Sequence, residues 1–168
     1  MVSELALSLI PQILTDDIFS VNQPVELAGL GASLAINAYR TLKTLELDLT
    51  IIGDDHDPLC GLNHELRFIA GNNTLEELEL YVVVQVGAPS RTESADWSGF
   101  DSVLTESDAF PTLNRVLVDI YWCLSSRNPS ERAVFESLKE DKFPRLLESK
   151  AVEFSFCSTF NNVGGITV

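Results

Sequence analysis

Positive charge is what this chain has least of. Eleven Lys and Arg stand against 25 Asp and Glu, a formal net charge of −14 over 168 residues. Such a surface repels phosphate backbones and anionic lipid, which argues against nucleic acid and membrane surfaces as partners. Long hydrophobic runs are missing too, and none approaches the roughly 20 residues needed to span a bilayer. The opening MVSELALSLIPQ has neither a basic stretch nor a small-residue cleavage site, so no secretory signal is read there. Cysteine is sparse: Cys60, Cys123 and Cys157 are an odd number at wide spacing. That usage fits reduced thiols in a cytoplasmic or nuclear protein. What remains is a globular mixture, 45% hydrophobic and 21% charged, of a length that suits one domain over residues 1–168.

Five segments alternate apolar and polar residues with period two. They are Leu5-Ala-Leu-Ser-Leu9, Leu45-Glu-Leu-Asp-Leu49, Leu78-Glu-Leu-Tyr-Val82, Val116-Leu-Val-Asp-Ile120 and Val152-Glu-Phe-Ser-Phe156. Strands are expected near 4–10, 44–51, 77–84, 115–122 and 151–157, because alternate side chains of a strand point to opposite faces. Their starts fall 40, 33, 38 and 36 residues apart. Four follow a short apolar lead-in: TLKTL, TLEEL, FPTLNRV and FPRLLESKAV. Repetition at a fixed phase places equivalent strands side by side. Leu47, Leu80, Val118 and Phe154 are then expected at equivalent inward positions.

Between the strands lie helix signals. Asp57-Pro58 reads as an N-cap with Pro at the first helical position, opening a helix through Leu59, Leu62, Leu66 and Ile69 that stops at Gly71. Asn128-Pro-Ser-Glu131 repeats the device before Val134, Phe135 and Leu138. A shorter helix begins at Ser98-Gly-Phe-Asp101, and a weaker one covers 24–39, diluted by Gly29 and Gly31. Gly87 to Asp96 reads as a surface loop, with Ser90, Thr92 and Ser94 as phosphorylatable positions.

Strand, helix, strand at this spacing means an α/β fold of parallel strands joined by crossovers. A sheet covered on both faces would show continuous apolar strands, whereas these alternate. The expectation is therefore a solenoid, with strands on an open concave face and helices on the convex one.

Motifs that carry chemistry are few. Gly29-Leu-Gly31 lacks the third glycine and preceding strand of a dinucleotide site, and no Gly-x-Ser-x-Gly elbow occurs. Gly164-Gly165 lacks the Lys-Ser or Lys-Thr of a phosphate loop, and the Asn72-Asn-Thr74 sequon would need secretion to matter. The densest cluster of ligand types is His56, Cys60 and His64, with Cys60 and His64 at i and i+4 on one helix face. It supports an alternative reading as a metal-dependent hydrolase, but no further ligand pair completes a four-coordinate site. No cofactor is expected, and the chain is read as a non-enzyme.

TLKTLELDL and TLEELELYV match the L-x-x-L-x-L core of leucine-rich repeats, at a spacing longer than that family's usual one. The second half, DWSGFDSVLTESDAFPTLNRVLVDIYW and then FPRLLESKAVEFSF, resembles the leucine-rich-repeat region of basidiomycete fungal F-box-like proteins. The matching positions are Trp97, Phe100, Asp101, Leu104, Phe110, Pro111, Leu113 and Val116. The resemblance covers roughly 40–156 and implies a substrate-recognition region of ubiquitin-ligase proteins. Ile10-Pro to Ile18-Phe19 superficially resembles an F-box opening, but its spacing is one residue short and a strand starts too soon after it. The F-box is read as absent, which makes the chain a truncated relative, a fragment, or a paralogue without that activity.

The wet face of the strands is the candidate surface. It is expected to carry Glu46 and Asp48, then Glu77, Glu79 and Tyr81, then Asp119 and Tyr121, then Glu153. Tyrosines among carboxylates suit a protein partner with a basic surface, the ring anchoring and the acids steering approach. The same acids would also simply keep a wet sheet dissolved. Leu5, Leu7 and Leu9 form an uncapped edge strand in this reading, which implies self-association at the N-terminal end.

Overall fold

The computed structural model describes residues 18–22, 27, 29–37, 40–52, 59, 61–86, 96–124 and 137–162. Within them the element order is β1 (Ile18–Asn22), α1 (Leu30–Asn37), β2 (Thr44–Ile52), α2 (Leu62–Ile69), β3 (Glu77–Val86), α3 (Asp96–Thr105), β4 (Arg115–Leu124), α4 (Leu138–Lys142), α5 (Pro144–Glu148) and β5 (Glu153–Asn162). The strands form one sheet in chain order, every neighbouring pair parallel. The mixed α/β reading with parallel strands holds.

Alternation decides which face is dry. Leu45, Leu47 and Leu49, then Leu78, Leu80, Val82 and Val84, then Val116, Val118, Ile120 and Trp122 are each 2% exposed or less. They join one core with Leu62, Leu66 and Ile69 of α2 and Trp97, Phe100, Val103 and Leu104 of α3. The helices lie in a row on that face: α1 beside α2, α2 beside α3, and α3 beside α4 and α5. On the other face the residues between them, such as Glu46, Asp48, Glu79, Val83 and Asp119, are only half-buried.

The lead-ins before β3 and β4 are stitched to the strand unit before them. The Thr74 hydroxyl donates to the Leu42 carbonyl at 3.2 Å, and Thr112 donates to Leu75 at 2.9 Å. Leu42, Leu75 and Leu113 are buried beneath these turns. Before β5 the device changes: the Ser149 hydroxyl accepts from the Ala151 and Val152 N–H groups. Phe143 of this last lead-in is fully buried and meets Trp97 and Phe100 edge-on and Phe154 and Phe156 at a tilt, with ring centroids 5.2 to 6.3 Å apart. Pro144 then opens α5 at its first position, where the missing N–H costs nothing.

Four expectations need correction. The strand beside β2 comes from Ile18–Asn22, whereas 4–10 lie outside the described residues. Phe156, not Phe154, completes the Leu47–Leu80–Val118 row; Phe154 aligns with Val116. Phe154 is also half-buried rather than buried, because β5 has a neighbouring strand on one side only among the described residues. Third, α2 starts at Leu62, after Gly61 at φ 77°, later than the Asp57-Pro58 signal, which lies outside the described residues. Its stop at Gly71, φ 78°, is as expected, since the left-handed backbone there favours glycine. Finally, the weak helix is shorter, Leu30–Asn37, and the Phe-Pro lead-in holds the short helix α5. The signal at Asn128–Glu131 and residues 87–95 of the expected loop lie outside the described residues, while the loop's last residue, Asp96, opens α3, two residues before the expected start at Ser98.

Gly31 does more than dilute α1. Its N–H donates to Glu65 Oε2 at 2.8 Å, and a Cβ built on it would run into the backbone carbonyl of Glu65. Two helices meet backbone to backbone there, and a backbone atom cannot swing aside as a side-chain tip can. Gly31→Ala is expected to lower stability by about 1–3 kcal/mol, the usual cost of overpacking. Urea unfolding of the two proteins measures it.

Candidate functional site on the open sheet face

Register places the face residues in rows that run across the strands. The lowest row is Thr44, Glu77, Arg115 and Glu153. Above it lie Glu46, Glu79, Leu117 and Ser155, then Asp48, Tyr81, Asp119 and Cys157, then Thr50, Val83, Tyr121 and Thr159. Adjacent positions in a row sit about 4.8 Å apart in the hydrogen-bonding direction. All eight expected face residues therefore share one surface. Glu46 lies directly beside Glu79, and Tyr81 lies between Asp48 and Asp119.

Like charges side by side repel, and part of the arrangement relieves this. Arg115 Nη1 lies 3.2 Å from Glu79 Oε1 and 3.5 Å from Glu77 Oε2. The Tyr81 hydroxyl donates to the other Glu79 oxygen, Oε2, at 3.0 Å. Glu79 is thus held on both oxygens and is the most sheltered acid of the ion-paired group, its side chain 17% exposed. Among the described residues no cation pairs with Glu46, Asp48, Asp119 or Glu153. The result is a split surface, with Glu77 and Glu79 sharing the single positive charge of Arg115 and Glu46, Asp48 and Asp119 around Tyr81 left available.

Burial of Tyr81 raises its phenol above the usual tyrosine range. The hydrogen bond to Glu79 and the negative charges of Glu79, Glu46 and Asp119 act in the same direction. The ring therefore remains a neutral donor at physiological pH, surrounded by carboxylates. Val83 and the 36% exposed Tyr121 lie in the row above, so the face passes from acidic to apolar and aromatic along the strands.

Arg115 was not foreseen. The signal was present: Arg115 stands two positions before Leu117 on the same strand, and period two puts both on one face.

The metal reading gains no structural support. His64 is exposed on α2 and meets Phe68 edge-on at 5.1 Å, while His56 and Cys60 lie outside the described residues. Among the described residues no three His, Cys, Asp or Glu side chains are grouped to hold a metal ion, and no helix is long and apolar enough to cross a membrane.

The positions that carry the family resemblance are structural. Trp97, Phe100, Leu104, Phe110, Leu113 and Val116 are buried, and Asp101 caps α5 by accepting from the Arg145 and Leu146 N–H groups at 3.1 and 2.8 Å. Pro111 is exposed in the turn before β4. No protein-family model, curated protein or solved structure matches this chain.

Proposed function

We propose that the chain is a non-enzymatic interaction module, a leucine-rich-repeat-like solenoid that takes a basic segment of a partner protein on its open face. Consecutive parallel strands with helices stacked along one side support the solenoid reading. The observation that carries the function is the placement of Tyr81 between Asp48 and Asp119, beside Glu46 and Glu79. A lysine or arginine entering there meets Glu46, Asp48 and Asp119, which have no ion-pair partner among the described residues, and an aromatic ring to lie against, and both attract a cation. Tyr121 and Val83 offer an apolar shelf to the residues that follow. By its resemblance to the fungal F-box-like proteins, the module belongs with regions that present substrates to a ubiquitin ligase.

Arrayed peptides of graded net charge, read by fluorescence anisotropy, test the proposal. Basic peptides should bind, acidic ones should not, and affinity should fall with salt because surface charges are screened over about 8–10 Å. Glu79 is a poor site to mutate, since its loss also releases Tyr81 and Arg115. The Asp48→Lys, Asp119→Lys double variant should slow association roughly tenfold or more, while Tyr121→Ala should mainly speed dissociation. Arg115→Gln frees Glu77 and Glu79 and should speed association. Binding indifferent to both salt and the double reversal would sink this reading.

A further inference from the structure

The middle row of the open face fits one kind of cation better than another. It reads Asp48, Tyr81, Asp119 across β2, β3 and β4, and all three residues are half-buried, so a ligand can reach them. Two strand spacings separate Asp48 from Asp119, about 9.6 Å between Cα atoms, and the tyrosine stands between them. Neither acid has an ion-pair partner among the described residues. The Tyr81 hydroxyl is engaged with Glu79, two residues back on its own strand. That leaves the ring, rather than the hydroxyl, to whatever enters the row.

The gap between the two aspartates sorts cations by shape. An ammonium is a point, and two oxygens bonded to it at about 2.8 Å lie within about 5 Å of each other. A guanidinium is a flat fork, and its opposite edges, with bonds of similar length, reach oxygens about 7 Å apart. From positions directly above their Cα atoms, the two carboxylates must each move inward by about 1.3 Å to meet on a guanidinium, but by about 2.3 Å to meet on an ammonium. Aspartate has a single methylene with which to lean, and Tyr81 fills the space it would lean into. A lysine there pairs with one aspartate, an arginine with both. The flat guanidinium also lies well on an aromatic face. The sheet already holds one such group of its own. Arg115 Nη1 lies 3.5 and 3.2 Å from Glu77 and Glu79, two acids of one strand whose Cα atoms are about 6.6 Å apart.

We propose that the open face selects arginine over lysine, one guanidinium lying on the Tyr81 ring and bridging Asp48 to Asp119. This rests on the reading of the face as a site for a basic segment, and it names the residue that the segment must carry. Charge alone would accept either cation; the spacing of the row supplies the preference.

Glycine-serine peptides with three positive charges, identical except that one carries arginines and the other lysines, test it by fluorescence anisotropy on the full chain. The arginine peptide should bind about tenfold tighter. Arginine is the better ligand for many acidic surfaces, so the decisive reading is how that ratio responds to substitution. Asp48→Asn and Asp119→Asn should each bring the two peptides within about twofold, because with one carboxylate left the fork has nothing to bridge. Tyr81→Phe keeps the ring and should keep the ratio, whereas Tyr81→Leu should lower it. Glu153→Gln, an acid two rows away on the same face, should weaken both peptides alike. Circular dichroism identifies any variant that has lost the fold, and the comparison on the unaltered chain needs no variant. Equal affinities for the unaltered chain, or a preference that survives both asparagine substitutions, would overturn arginine selection and leave the face as a site for basic segments in general. Failure of both peptides to bind would remove the face as a site, and arginine selection with it.

Discussion

Leu80→Ala should lower the unfolding free energy by about 2–5 kcal/mol, the range for a leucine removed from a well-packed core. Leu80 is a position where a core vacancy is hard to fill. It sits on β3, the middle strand of five, in register with Leu47 on one side and Val118 on the other, and all three are fully buried. Parallel strands fix the backbones around it, so neighbours can close the space only by leaving their rotamers. A domain of this length is typically stable by only about 5–15 kcal/mol, so the variant gives up a large share of its margin. Thermal unfolding followed by circular dichroism should show the midpoint falling by roughly 5–15 °C. The row supplies its own control. Phe156 holds the equivalent place on β5 but is half-buried, so Phe156→Leu should cost markedly less. Equal losses at the two positions would mean that β5 is as enclosed as β3.

The same row shows how far the sequence can be read. Period two identified the dry face of β2, β3 and β4 residue by residue, because burying one face of a sheet forces alternation on each strand. It could not fix the relative register of β4 and β5. A shift of two residues keeps every side chain on its face, so Phe154 and Phe156 satisfy the pattern equally well. The structure selects Phe156 for the Leu80 row, and Phe143 packs at a tilt against both rings. The Thr-Leu pairs of the lead-ins were visible as a repeat, yet their purpose depends on Thr74 and Thr112 reaching carbonyls more than thirty residues back. Gly31 read as a helix weakener from propensity alone. Only the arrival of Glu65 from the next helix shows that the absent Cβ is what the packing needs. The candidate face was legible in its acids and tyrosines because every member obeys the same alternation. Its charge balance was not, since Arg115 acts on residues of the neighbouring strand.

Asp101→Ala should be the most damaging polar substitution, at about 2–4 kcal/mol. Asp101 is 2% exposed, and its two oxygens accept separate backbone N–H groups, those of Arg145 and Leu146. Those groups belong to the first turn of α5, where the helix cannot satisfy its own donors. The cap therefore comes from α3, more than forty residues away, and fastens the Phe143-Pro144 turn that carries the aromatic hub beneath β5. Alanine leaves the two N–H groups without an acceptor, and the Leu146 N–H is buried, so the loss exceeds that of an ordinary exposed cap. Asparagine keeps one accepting oxygen but turns an N–H₂ toward the second donor, so Asp101→Asn should also destabilise, by less than alanine. Ser102 separates this role from general damage to α3. It receives Arg145 Nη1 at 3.0 Å in an exposed hydrogen bond, and Ser102→Ala should change stability by under about 1 kcal/mol. Urea midpoints for the three variants test the order Ala, then Asn, then Ser102→Ala. If the Asp101 cap positions β5, Asp101→Ala should also expose amide hydrogens of 153–162 to exchange before those of β2 and β3. Uniform exchange across the sheet would show that Asp101 stabilises the fold globally and has no special hold on its last strand.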